Sequence, residues 1–266
     1  MIETKKMPKN LHWSVDYAYH HSSNGDFRKQ LWSCLEKSLC DGNIRCSLSE
    51  KKHHYTILPN FWNGYQPSLP DQGIGQATVH RNQESQSIWH YNIYCDNISN
   101  GTEMRLDFRA QTNVQPTVVD KWHVHVKSHA DGIYDRFDCI GSITNNDDQK
   151  QISLEMRTGL VIPAGEVSSS SSIICDWMLF DWIPTLAQES AAWAMLEDLQ
   201  RLKPNHHICR LEDWEFELDG HEICLRGYSV YGQGTEVSYW WLNEANEVVL
   251  ISKTFSTYVL TKGGCV

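Results

Sequence analysis

Two histidines one residue apart, in Trp122-His123-Val124-His125-Val126-Lys127, have the types and spacing to do chemistry. Side chains of a strand alternate between its faces. His123, His125 and Lys127 then share one face, and Trp122, Val124 and Val126 share the other. Two neighbouring imidazoles can bind a metal, move protons, or stand in water.

The metal reading starts from His129, which has the same parity and adds a third imidazole if the strand is unbroken. The segment resembles the first cupin motif, and Pro163-Ala164-Gly165 is similar to the turn of the second. The departures are large. Val126, Lys127, Ser128 and His129 fill the place of the cupin glutamate, and Glu166 to Ser169 stand where a further histidine belongs. Lys127 on the same face repels a cation. The expectation is no metal and no cofactor, with a metal-dependent cupin-like enzyme as one alternative.

The proton-transfer reading draws on neighbouring strands. Histidine titrates near neutrality and is the commonest general acid or base. Asp135 and Asp138 lie on the next strand and Glu155 on the one after. Registered strands bring side chains to within about 5 Å. His123 and His125 then carry protons, and Asp138 or Glu155 orients them. Arg157 offers a bidentate fork to a substrate carboxylate. Trp89, Tyr134 and Trp240 are candidates to stack on a flat substrate. The competing reading of the same residues is a solvated outer face of mixed charge. Tyr239-Trp240-Trp241 puts aromatic groups on both faces of one strand, so core packing accounts for at least one of them.

The elements that must position these residues are mostly strands. Runs alternate over Ser87 to Cys95, Thr102 to Gln111, Lys121 to Ser128, Tyr134 to Ile140 and Gln151 to Arg157. Trp214 to Leu218, His221 to Tyr228, Val237 to Leu242, Val248 to Ser252 and Thr254 to Leu260 continue the pattern. Short alternating runs joined by polar turns predict an antiparallel meander closed into a barrel or a strongly curled sheet. Two helices are expected. The first opens at Asp26 and carries Phe27, Leu31, Leu35 and Leu39 on one face. The second starts at the capping box Thr185-Leu186-Ala187-Gln188, carries Ala192, Met195, Leu196, Leu199 and Leu202, and ends at Lys203-Pro204-Asn205. Pro59 to Gly75 reads as a long aromatic loop of the kind that rims a pocket, and Glu166 to Ser172 as a serine-rich loop. Ile173 to Ile183, with Asp176-Trp177 and Asp181-Trp182, reads as a buried strand or turn.

The 266 residues make one β-barrel-like domain, with a helical N-terminal extension over about 1–45. A net charge of -10 and the lack of a basic stripe argue against nucleic acid. No apolar stretch is long enough to span a membrane, and Met1-Ile2-Glu3-Thr4-Lys5 lacks a secretory core, so a soluble, cytoplasmic protein is expected. Nine scattered cysteines without a C-x-x-C pair predict buried free thiols rather than a disulfide framework.

From Asp176 to Leu260 the layout is an aromatic strand, a capped helix and a meander. That meander ends in Tyr239-Trp240-Trp241-Leu242-Asn243-Glu244 and Val249-Leu250-Ile251-Ser252. This layout resembles lipocalin-like and LolA-like barrels, which implies a sheet curled around a small hydrophobic ligand. The whole chain, rich in His, Trp and Tyr, also looks like the cyanobacterial natural-product cyclases of the scytonemin pathway. That resemblance implies metal-free, acid/base-promoted carbon–carbon bond formation on an aromatic keto acid, and it assigns no catalytic residue. The expected function is a biosynthetic enzyme of cyclase, lyase or isomerase type. Its partner is an aromatic or hydrophobic small molecule, and a homodimer is compatible with it. The other alternative is a non-catalytic carrier or chaperone of a hydrophobic ligand or pigment.

Overall fold

The computed structural model describes residues 26–40, 50–59, 73–97, 101–111, 116–130, 133–186, 190–218 and 220–264. Helix α1 (Asp26–Cys40) precedes eight strands: β1 (Glu50–Pro59), β2 (Gly75–Gln83), β3 (Ile88–Asn97), β4 (Thr102–Gln111), β5 (Thr117–Ala130), β6 (Ile133–Asn145), β7 (Gln149–Met156) and β8 (Val161–Ser168). Strand β9 (Ile173–Cys175) leads into a helical segment, Asp176 to Thr185, whose α-helical turn is α2 (Leu179–Trp182). The chain ends in β10 (Trp193–Glu197), β11 (Arg201–Arg210), β12 (Trp214–Leu218), β13 (His221–Gly232), β14 (Thr235–Leu242), β15 (Val248–Ser252) and β16 (Ser256–Gly264).

All the described strands join one sheet, in the order β8-β7-β6-β5-β4-β3-β2-β1-β16-β15-β14-β13-β11-β10-β9, with β12 branching from β13. Every pairing is antiparallel except β9 with β10. The sheet curls until β8 lies against β11, with side chains rather than a hydrogen-bonded ladder at the seam. Gly165 permits this approach: its φ is +138°, and a Cβ there meets the Leu202 Cβ at 2.8 Å. The architecture is mainly β and barrel-like, as the alternating runs predict.

The helical segment plugs the barrel. Trp177, Met178, Leu179, Phe180, Trp182 and Ile183 are all buried. Phe180 packs at 5.1 Å on both Tyr55 of β1 and Trp240 of β14. A second apolar layer covers the outside of β13–β16. There Trp32 of α1, Trp214 and Phe216 of β12, and Trp241 pack with ring centroids 4.5–6.0 Å apart. The adjacent indoles Trp240 and Trp241 thus serve two cores, one on each face of β14, which explains why that strand is apolar on both sides.

The helix expected from Thr185 to Lys203 does not form. Leu186 is extended (ψ 129°), and Thr185 Oγ1 bonds back to the Trp182 carbonyl at 2.7 Å, closing the preceding turn instead of opening a new one. Ala187 and Gln188 lie outside the described residues. Met195, Leu196, Leu199 and Leu202 instead belong to the β10–β11 hairpin. Its turn places Asp198 and Leu199 at φ 47° and 59°. Strand β10 is buried on both faces, so its apolar residues run together and mimic helical periodicity. The serine-rich stretch is also partly strand, since β8 extends to Ser168. Most of the aromatic loop after Pro59, residues 60–72, lies outside the described residues. Cys34, Cys95, Cys139, Cys175, Cys209 and Cys224 are free thiols. No described helix is long and apolar enough to cross a membrane.

Candidate functional site

Antiparallel register puts His123 opposite Asp107 and Ile140, and His125 opposite Arg105 and Asp138. Trp122 and Val124 face the core, so the histidines face outward, and His123 is exposed. His125 Nδ1 contacts Asp138 Oδ1, and Arg136 Nε reaches Asp138 Oδ2. Burial pushes the Asp138 carboxyl up, but the hydrogen bonds and charges of His125 and Arg136 together outweigh it and hold it below the usual carboxylate range. Glu155 is exposed, opposite Ile140 and Val161, and Arg157 is exposed beyond the end of β7. The structure therefore brings together His125 and Asp138, and sets His123, Glu155 and Arg157 along the same outer wall. Tyr134 lies opposite His129, and its side chain is outside the described set. Trp89 pairs with Gln83 and Ala110, and the Lys51 ammonium sits 5.8 Å from its ring.

Inside the barrel, near the β14–β15 turn, a charged network fastens the plug. Arg81 of β2 is 2% exposed and donates to Asp181 Oδ1 at 2.6 Å. Tyr91 of β3 donates to Asp181 Oδ2 at 2.9 Å. Arg81 also donates to His53 Nδ1, which leaves the ring proton on Nε2, 3.4 Å from Glu247 Oε1. Burial lowers the His53 pKa, the Glu247 hydrogen bond opposes this, and Arg81 adds to it.

At the opposite end, where β13 turns into β14 and β15 into β16, a cavity of about 340 Å³ opens. Trp240 stands in its wall, with Nε1 donating to Ser238 Oγ at 2.9 Å. Met195, Val237, Leu179 and the exposed Phe255 add apolar surface. Glu197 and Lys203 pair across the β10–β11 hairpin at 2.8 Å. Asp176 and Lys253 complete the lining at the plug. Asp176 Oδ1 accepts the Asp198 amide at 3.0 Å and the Cys175 thiol at 3.4 Å, and Trp177 Nε1 donates to Asp198 Oδ1 at 2.8 Å. Removal from water, then the Asp198 charge, pushes the Asp176 carboxyl up to about 7, although Lys253 pulls the other way. Burial disfavours the Lys253 ammonium, but Tyr258, Asp176, Asp198 and Cys95 more than offset it, and its pKa rises.

Of the site residues expected from the sequence, Trp240 alone is among those lining this cavity. Sequence reasoning missed the roles of Asp176, Lys253 and Arg81. The signal for Asp176 was present: a carboxylate inside the otherwise apolar run Ile173-Ile174-Cys175-Asp176-Trp177-Met178 needs a reason to be there. Arg81 occupies an inward position of β2 after Ala77 and Val79, where alternation calls for an apolar residue.

No protein-family model matches the chain, and no curated protein matches it in sequence. Among solved structures, the crystal structure of a beta-barrel-like protein of a domain of unknown function, DUF1849, from Brucella abortus is similar over 81% of this chain and 97% of that one. The identity is 10% and the TM-score 0.49. None of these comparisons points to a lipocalin, a LolA-like protein or a cyclase.

Proposed function

We propose that the protein holds an aromatic small molecule in the cavity between the plug and the β13–β14 and β15–β16 turns, and acts on it by acid/base chemistry. One observation carries this reading: an indole (Trp240) and a partly buried carboxyl (Asp176), pushed up to about 7 by burial and the Asp198 charge, line the same cavity. An aromatic wall with a few polar groups is the ordinary composition of a small-molecule site. A general acid or base works best when its pKa lies near the operating pH. The enzyme class this fits is a metal-independent cyclase or isomerase. Asp176 takes the proton-carrying role there, because His123 and His125 lie on the outer wall.

The test uses naphthylmethanol, a neutral aromatic probe, in calorimetric titration. Saturable binding is expected, weakened at least tenfold by Trp240→Ala, retained by Trp240→Phe, and abolished by Val237→Trp, which fills the cavity. Unchanged binding in Val237→Trp overturns the site.

A carrier is the second reading. It is favoured by the hydrogen bonds that already occupy Asp176 Oδ1. Acetonaphthone in heavy water separates the two. An enzyme with a working base accelerates exchange of the methyl protons next to the carbonyl, and Asp176→Asn removes the acceleration. A carrier binds the ketone without exchange.

A further inference from the structure

Among the described residues, the charges beneath the cavity do not balance. Asp176 and Asp198 are joined through the Asp198 amide, and both act on one ammonium, Lys253. Lys203, the other cation in the lining, is matched by Glu197 at 2.8 Å. Glu236 at the rim adds a further negative charge, and no third cation lines the cavity among the described residues. The groups facing Asp176 are Asp198 in the β10–β11 turn, Lys253 between β15 and β16, Tyr258 of β16 and the adjacent Cys175 of β9. Only Lys253 among them is a cation. Asp176 Oδ2 accepts no hydrogen bond from a described residue, whereas Oδ1 accepts two. A carboxylate partly withdrawn from water with one oxygen left over is best satisfied by a donor that is also positive. The indole of Trp240 in the same lining favours a cation as well.

We propose that the cavity selects an aromatic amine, whose ammonium group is received by Asp176 while its ring lies against Trp240. This rests on the aromatic-site reading above and names the charge of the ligand. It also means that a bound amine does the work of the proton Asp176 otherwise keeps.

Three probes on one aromatic body decide it: naphthylmethylamine, naphthylmethanol and naphthylacetate, titrated by calorimetry into the full chain. The amine is expected to bind at least tenfold more tightly than the alcohol, and the carboxylate more weakly than both. Asp176→Asn should reduce the preference for the amine over the alcohol to within about twofold. With the wild-type chain, amine affinity should rise roughly tenfold between pH 6 and pH 8, because a primary amine stays charged across that range while the carboxyl ionises. That pH arm needs no substitution. Equal affinity for amine and alcohol overturns the proposal, as does tighter binding of naphthylacetate, which would make Lys253 and Lys203 an anion site. If none of the three binds, the aromatic site itself fails.

Discussion

Arg81 of β2 and Asp181 of α2 form an ion pair inside the barrel, 2.6 Å from Nη1 to Oδ1, with the arginine side chain 3% exposed. The pair crosses from the wall to the plug, with Tyr91 as a second donor to the same carboxylate. Removing one partner of such a pair leaves an uncompensated buried charge. Asp181→Asn is therefore expected to lower stability by roughly 3 kcal/mol, while replacing both residues with apolar ones of similar volume recovers most of the loss. Urea denaturation of the single and double variants measures this. Equal losses in the two would show that the pair does not hold the plug.

Trp122 depends on a missing side chain. A Cβ on Gly141 of β6 would lie 1.9 Å from the Trp122 ring, and the ring's Nε1 donates to the Leu199 carbonyl at 2.9 Å. The indole thus lies flat over β6 and ties the β10–β11 turn to β5. Gly141→Ala is expected to cost about 2–3 kcal/mol through displacement of the ring. It should also loosen the β10–β11 turn, seen as faster amide exchange at Leu199 and Gln200. Full stability in the alanine variant would mean that the ring has another seat.

Two titrations, of half-buried Asp176 and buried His53, shape the dependence of stability on pH, with opposite signs. Asp176 is raised from 3.8 to about 7, so the folded chain keeps a proton that the unfolded chain releases. Its contribution is complete below 3.8 and is lost as pH rises through about 7. His53 is lowered from 6.5, so its contribution is present above 6.5 and is lost as pH falls through its folded value. Denaturation midpoints across this range should show both limbs. Asp176→Asn should flatten the alkaline one and His53→Gln the acid one. A curve unaltered by both substitutions overturns the assignment.

On the outer wall, His125→Gln and Asp138→Asn are expected to change stability by no more than about 1 kcal/mol, as for other partly exposed ion pairs. Affinity for naphthylmethanol should stay at the wild-type value. A tenfold loss of affinity in either variant would move the site from the cavity to this wall.

The barrel was legible where strands have one dry and one wet face. β4, β7 and β12 show the alternation directly, and the turns between Thr144 and Asp148 and between Asn243 and Asn246 mark the β6–β7 and β14–β15 hairpins. Legibility fails where the faces are equal. β10 is apolar on both sides, and helical spacing is then met by coincidence. The site was obscured by a related effect. His123 and His125 advertise chemistry by their type, yet parity alone does not say which face of a strand looks inward. Asp176 and Lys253 are separated by 77 positions in the sequence. They meet only because the plug folds back under the β15–β16 turn.

Strand β1 is hydrogen-bonded to β16 along Lys52 to Pro59, with partners from Gly264 to Ser256. On a ribosome, residues 50–59 are made first and wait for a mate synthesised some two hundred residues later. Pairings of such long sequence separation form slowly. During that interval the growing meander presents Tyr55, Ile57, Val79 and Tyr91, which are buried once the barrel is complete, together with an unpaired edge. Nascent chains in this state are the kind that holdase chaperones recognise. Premature termination anywhere before residue 256 would release the meander in that sticky form.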